Sequence, residues 1–96
     1  MRLTPPQIET ILAAIHSEAG AESRAILYGS RLDDQARGGD IDLLVECDHG
    51  LLPLQRAKLK IAIEARLGLP VDIQVLNRGA PPTAFQAIAL SRGIEL

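Results

Sequence analysis

Residues 40–47 most strongly constrain the fold, because this segment begins with Asp-Ile-Asp and then becomes wholly apolar at Leu43, Leu44 and Val45. A short apolar run of this kind is typical of a strand that is covered on both faces. A strand with one face in water would alternate apolar and polar residues instead. We therefore predict that residues 40–47 form the central strand of a small sheet.

The rest of the chain predicts helices and further strands around this segment. Thr4 and Gln7 have the spacing of a capping box, and apolar residues then recur at helical spacing as far as Gly20. The polar stretch 31–39 is predicted to be a short helix or a loop. Apolar runs predict two more strands and two more helices, at 24–28, 71–76, 53–67 and 82–92 respectively.

This order of elements predicts an α/β (α+β) fold, in which helices pack on a three-stranded sheet. With 96 residues, the chain has room for one hydrophobic core, so we predict a single domain over residues 1–96.

Composition excludes several classes of function. The single cysteine rules out an internal disulfide and a zinc site built on cysteine pairs. A net charge of −2 and 2% aromatic residues disfavour direct binding of nucleic acid. No apolar run approaches the roughly 18 residues of a membrane span, and the first residues lack the apolar core of a signal peptide. We therefore expect a cytoplasmic protein without a membrane anchor.

Three aspartates lie where strand residues are usually apolar. Asp40 and Asp42 are two residues apart, so they project from the same face of an extended chain. Asp72 opens the next predicted strand, and all three carboxylates converge if the two strands pair in register. Like charges this close need a cation, and oxygen ligands alone favour Mg²⁺ or Mn²⁺. The aspartates are therefore candidate metal ligands.

A Gly-Ser pair ends the strand at 24–28 and provides a candidate phosphate site. Gly29 allows the backbone to approach a phosphate closely, while the Ser30 hydroxyl and the Arg31 guanidinium could bind its oxygens. Taken alone, this pair reads as an ordinary turn, and Asp40 and Asp42 read as a solvated strand start. Together they favour a site, because charges on a buried strand are costly without partners.

The segment YGSRLDDQARGGDIDLLVE, residues 28–46, resembles the Gly-Ser, spacer, Asp-x-Asp motif of the DNA polymerase β nucleotidyltransferase superfamily. Nine residues separate Ser30 from Asp40, and PVDIQVL at 70–76 is similar to the strand that carries the family's third carboxylate. The short chain and the Gly-Ser-Arg variant resemble the minimal nucleotidyltransferase (MNT) group.

The resemblance implies a mixed sheet flanked by helices and the transfer of a nucleoside monophosphate from ATP to a hydroxyl acceptor. It assigns triphosphate binding to Gly29 and Ser30, with Arg31 as a further phosphate contact. It assigns metal binding and catalysis to Asp40, Asp42 and Asp72, and the last of these could also activate the acceptor. Mg²⁺ or Mn²⁺ would be the cofactor.

The predicted helices at 53–67 and 82–92 carry more apolar surface than a small sheet needs, which predicts a partner chain. Minimal relatives are commonly paired with a helical HEPN-type toxin, which some of them adenylylate on a tyrosine, so the resemblance implies an antitoxin. Two alternatives stay open. The chain could neutralise its partner by occlusion without catalysis, or it could be one subunit of a heterodimeric transferase that acts on a small molecule.

Overall fold

The computed structural model describes residues 3–29 and 39–96. Helix α1 begins at a capping box, since the Thr4 hydroxyl accepts from the Gln7 amide and the Gln7 side chain accepts from the Thr4 amide. None of the described helices is both long and apolar enough to cross a bilayer. The elements are, in order, α1 Pro5–Ala19, β1 Arg24–Tyr28, β2 Ile41–Cys47, α2 Pro53–Leu67, β3 Val71–Asn77, α3 Ala84–Arg92 and β4 Ile94–Glu95.

The sheet has the order β3-β2-β1-β4, so β2 lies inside it as predicted. Strand β2 pairs with β3 in parallel and with β1 in antiparallel orientation, which makes the sheet mixed. The α/β fold with a sheet flanked by helices is thus confirmed.

The predicted count of three strands is wrong, because a short fourth strand follows α3. Ile94 pairs with Leu27 and Glu95 pairs with Ile26 at the edge of β1. Two residues carry no periodic pattern, so the sequence gives no signal for this strand. The predicted start of the last helix at residue 82 is also wrong. Thr83 caps α3 by accepting from the Gln86 amide, which places the first helical residue at Ala84.

The helices cover the two faces of the sheet unequally. Helices α1 and α2 cover one face and α3 covers the other. The first face carries the larger part of the core, in which Ile11, Ile15, Leu27, Ile41, Leu43, Leu59 and Ile63 are fully buried. The smaller cluster under α3 consists of Ile26, Tyr28, Leu44, Leu76 and Ala89.

The second apolar stripe of α2, formed by Leu54, Ala57, Ile61 and Ala65, faces solvent and is called the outer stripe below. Leu54 is 67% exposed and Ile61 is 65% exposed, whereas Leu59 and Ile63 of the other stripe are fully buried. The surplus apolar surface that the sequence predicts on this helix is therefore present. The partner that it was taken to imply stays a prediction.

The end of α2 is joined to the start of β3 through Glu64. Its carboxylate accepts from the Val71 amide at 2.8 Å and from the Lys60 ammonium at 3.0 Å. Lys60 also donates to the Val71 carbonyl. These contacts hold the chain where it enters β3, one residue before Asp72.

Replacing Glu64 by Gln is expected to lower the urea midpoint slightly at pH 7. The Val71 amide and then Lys60 lower the pKa of this carboxyl below its ordinary value of 4.5. The contribution of the ionised Glu64 carboxylate to folding stability is therefore present above pH 4.5, and it is lost as pH falls through the lowered pKa. Urea titrations of the wild type and the variant should differ at pH 7 and converge in acid. Glu9→Gln, on the exposed side of α1, should leave the midpoint unchanged at both pH values.

Candidate active site

Asp42 and Asp72 lie directly opposite each other on the central pair of strands. The parallel register pairs Asp42 with Asp72, and the antiparallel register pairs Tyr28 with Asp42. Residues opposite each other on paired strands project from the same face, and neighbouring strands lie about 4.8 Å apart. The in-register pairing on which the predicted convergence depends is therefore present, and the two carboxylates lie on the face that α3 covers.

Asp40 does not belong to this row of side chains. Strand β2 begins at Ile41, whose amide donates to the Pro70 carbonyl at 2.9 Å, and Asp40 precedes it in an exposed position. Within residues 3–29 and 39–96, no group of three His, Cys, Asp or Glu side chains is arranged to hold a metal ion. The structure thus brings two of the three predicted carboxylates together and leaves Asp40 beside them.

The pair is electrostatically unfavourable as it stands. Burial, followed by the charges of Asp72 and Asp40, raises the pKa of Asp42. No hydrogen bond or ion pair from the described part of the chain reaches the carboxylate of Asp42 or Asp72. Two adjacent carboxylates without donors fit a hard divalent cation, which typically takes one or two carboxylates from a protein. These two side chains therefore suit Mg²⁺ or Mn²⁺.

Tyr28 belongs to the core cluster under α3 and also lies beside the acidic pair. The side chain is only 8% exposed, and its hydroxyl has no hydrogen-bond partner among the described residues. Burial, then Asp72 and Asp42, raise the pKa of Tyr28 to about 12. The phenol therefore stays protonated at neutral pH and keeps a proton to donate. Its position before Gly29, on the strand opposite Asp42, is the signal that relates it to this site.

Gly29 brings the backbone against Asp42. Its φ is +81°, and a Cβ placed there would lie 2.3 Å from Asp42 Oδ2. Only glycine satisfies both conditions, because other residues rarely adopt this conformation and their side chain would displace the carboxylate. Ser30 and Arg31, the other predicted phosphate contacts, lie outside the described residues.

The sequence model of the family described as Polymerase beta, Nucleotidyltransferase matches residues 11–96. The chain belongs to this polymerase β nucleotidyltransferase family. A comparison with curated proteins gives no significant match. Family membership covers the whole sheet, and the match includes Gly29, Asp40, Asp42 and Asp72.

One cleft of this nucleotidyltransferase domain lies beside the acidic pair, and another lies away from it. A cleft of about 250 Å³ beside Asp72 is lined also by Arg56 and Lys60, so basic side chains flank the acidic site. A second cleft, of about 690 Å³, lies at the other end of β2 and β3 around His49 and Asn77. It contains none of the predicted site residues.

Proposed function

We propose that this protein is a metal-dependent nucleotidyltransferase that transfers AMP from ATP to a hydroxyl acceptor. The observation that carries the proposal is the in-register pair of Asp42 and Asp72 beside Gly29, in a chain of the polymerase β nucleotidyltransferase family. The acceptor that we propose is a tyrosine of a HEPN-type helical toxin, which the protein inactivates as an antitoxin in the cytoplasm.

The proposed reaction forms one phosphorus–oxygen bond and breaks another. The acceptor oxygen attacks the α-phosphorus of ATP, the bond to the β-phosphate breaks, and pyrophosphate leaves with the electron pair. Mg²⁺ or Mn²⁺, when bound, neutralises phosphate charge and orients the reacting oxygens. Asp42 and Asp72 would hold the metal, with Asp40 as a further ligand. Asp72 is the more exposed of the pair and accepts the proton of the acceptor hydroxyl.

Gly29 and Tyr28 would support this chemistry without entering it. The open backbone at Gly29 leaves space for phosphate oxygens next to Asp42, since no Cβ occupies it. Ser30 and Arg31 follow directly in the sequence and are proposed as the next phosphate contacts. The protonated Tyr28 hydroxyl has a hydrogen bond to donate and no described acceptor.

The outer stripe of α2 supports a protein partner. Leu54 and Ile61 on this stripe are each about two-thirds exposed. Single exposed apolar residues are normal on a protein surface, whereas a continuous apolar stripe marks an interaction surface. The same helix carries Arg56, Lys58, Lys60 and Arg66 against a single acidic residue, Glu64. A helical partner with an apolar face and an acidic rim would match this surface.

The outer stripe of α2 would also serve the alternative in which the protein acts by occlusion alone. A domain that only covers its partner would need the outer stripe and would not need the carboxylates.

Labelling distinguishes these functions. The protein is mixed with host lysate, Mg²⁺ and ATP labelled at the α-phosphate, beside Asp42→Asn and the matched control Asp48→Asn. Asp48 is an exposed residue that forms an ion pair with Arg78, so its replacement leaves the acidic pair intact. We expect one labelled protein with the wild type and the control, and none with Asp42→Asn. No label with any form, although all three retain a co-purifying partner, would establish occlusion. Label on small molecules alone would establish the small-molecule transferase.

A further inference from the structure

An apolar cavity of about 300 Å³ opens next to the acidic pair, between the end of β1 and α3. It is lined by Tyr28, Gly29, Phe85, Ile88, Ala89 and Arg92. Tyr28 and Gly29 are shared with the acidic site, because Tyr28 pairs with Asp42 and Gly29 touches its carboxylate. The cavity and the acidic pair are thus adjoining parts of one surface on the α3 side of the sheet.

The cavity walls are mostly apolar. The rings of Phe85 and Tyr28 meet edge to face, with centroids 5.5 Å apart and planes at 80°. This contact leaves Phe85 55% exposed, and Ile88, about one turn further along α3, is 57% exposed. An exposed aromatic ring beside a branched aliphatic side chain forms a surface on which a planar ring can stack.

The polar side chain that the described residues expose in the cavity is a donor. Arg92 presents a guanidinium that donates and cannot accept, whereas the Tyr28 hydroxyl is buried. The side chains of Phe85, Ile88 and Ala89 offer no acceptor. A ligand that fits is therefore planar, largely apolar on its faces and rich in acceptors at its edge, as a purine base is at its ring nitrogens.

We propose that this cavity binds the purine base of the nucleoside triphosphate, with selection by stacking rather than by readout of the base edge. The assignment rests on the proposed function for the triphosphate, which would lie at Gly29, directly beside the cavity. A purine covers more of Phe85 and Ile88 than a pyrimidine does, so ATP and GTP bind more tightly than UTP or CTP. Discrimination between adenine and guanine is small, because none of the described side chains that line the cavity exposes an acceptor for an exocyclic amino group.

Calorimetric titrations with ATP, UTP and inorganic triphosphate test the cavity in the presence of Mg²⁺. Inorganic triphosphate lacks the base and reports the phosphate site alone. The variants are Phe85→Ala, Phe85→Leu and, as a matched control, Leu52→Ala at an exposed position just before α2. Truncation to alanine could loosen the packing of α3. Phe85→Leu keeps an apolar side chain at this position and removes only the aromatic ring.

We expect the wild type to bind ATP at least tenfold more tightly than inorganic triphosphate, with UTP between them. Loss of one stacking contact corresponds to a loss of about 5- to 100-fold in affinity. Phe85→Ala should therefore weaken the binding of ATP by that factor, and Phe85→Leu should weaken it by a smaller factor. Both should bind inorganic triphosphate as the wild type does, and Leu52→Ala should bind all three ligands unchanged.

Equal affinity of the wild type for ATP and inorganic triphosphate would overturn the cavity proposal, as would Phe85 variants that bind ATP normally. Equal affinity for ATP and UTP would overturn selection by stacking. Failure of the proposed function gives a different result: base-dependent binding that is sensitive to Phe85, with no labelled acceptor in the transfer assay.

Discussion

Asp42→Asn is expected to abolish nucleotidyl transfer and, at the same time, to stabilise the metal-free protein. The carboxylate is half-buried opposite Asp72, with no hydrogen bond or ion pair from the described residues. Removing a group that positions charge in a transition state typically costs about 10²- to 10³-fold in rate. The neutral amide has the same shape but removes the repulsion from Asp72, so the folded state gains stability. Opposite signs for activity and stability are typical of a functional site.

The pH dependence of this stability difference follows from the direction of the pKa shift. Burial and then the neighbouring carboxylates raise the pKa of Asp42 above its ordinary value of 3.8. At pH values between the ordinary pKa and the raised pKa of Asp42, the native state binds more protons than the unfolded state. Wild-type stability therefore decreases as pH rises through this range. The gain from Asp42→Asn should therefore be full at pH 7 and disappear in acid, where the wild-type carboxyl is also neutral.

Thermal unfolding with and without Mg²⁺ measures both effects beside the transfer assay. At pH 7 without divalent cations, Asp42→Asn should melt a few degrees above the wild type. Mg²⁺ should raise the Tm of the wild type but not that of Asp42→Asn. Asp48→Asn loses its ion pair with Arg78 and should melt slightly below the wild type with full activity. An Asp42→Asn variant that melts lower than the wild type, or that still transfers nucleotide, would contradict the assignment.

The sequence predicts elements well where local signals are strong. The Thr4 capping box, the strand at Arg24–Tyr28 and the helix at Pro53–Leu67 all occur at the predicted residues. Each has an apolar period, a cap or a stop that acts within the segment itself. Strand β4 has none of these, since it exists only because Ile94 and Glu95 reach the free edge of β1 after α3.

The candidate site shows the same division between local and tertiary information. The convergence of Asp42 and Asp72 is predicted on the condition that their strands pair in register, and the structure meets this condition. The exposed position of Asp40 depends on where pairing with β3 begins, which the sequence does not show. The cavity at Phe85 depends on how α3 docks on the sheet, so sequence periodicity assigns that residue only to an apolar helix.

Gly29→Ala is expected to reduce transfer about as severely as loss of a catalytic carboxylate. Its φ of +81° costs an alanine about 1–2 kcal/mol. In addition, the new Cβ would lie 2.3 Å from Asp42 Oδ2, so the carboxylate or the strand must move. Displacement of a catalytic group by about 1 Å is enough to lower a rate about 10²-fold.

Gly79→Ala separates the backbone effect from the displacement of Asp42. Gly79 has a similar φ of +89°, but a Cβ there meets nothing within 4 Å. The two variants should therefore share the loss of stability that comes from backbone strain, measured as a lower urea midpoint. Only Gly29→Ala should lose transfer and the rise in Tm with Mg²⁺, because only its side chain would contact the carboxylate that we propose as a metal ligand. Equal activity of the two variants would show that Gly29 is required by its turn alone, and that the close approach to Asp42 has no part in catalysis.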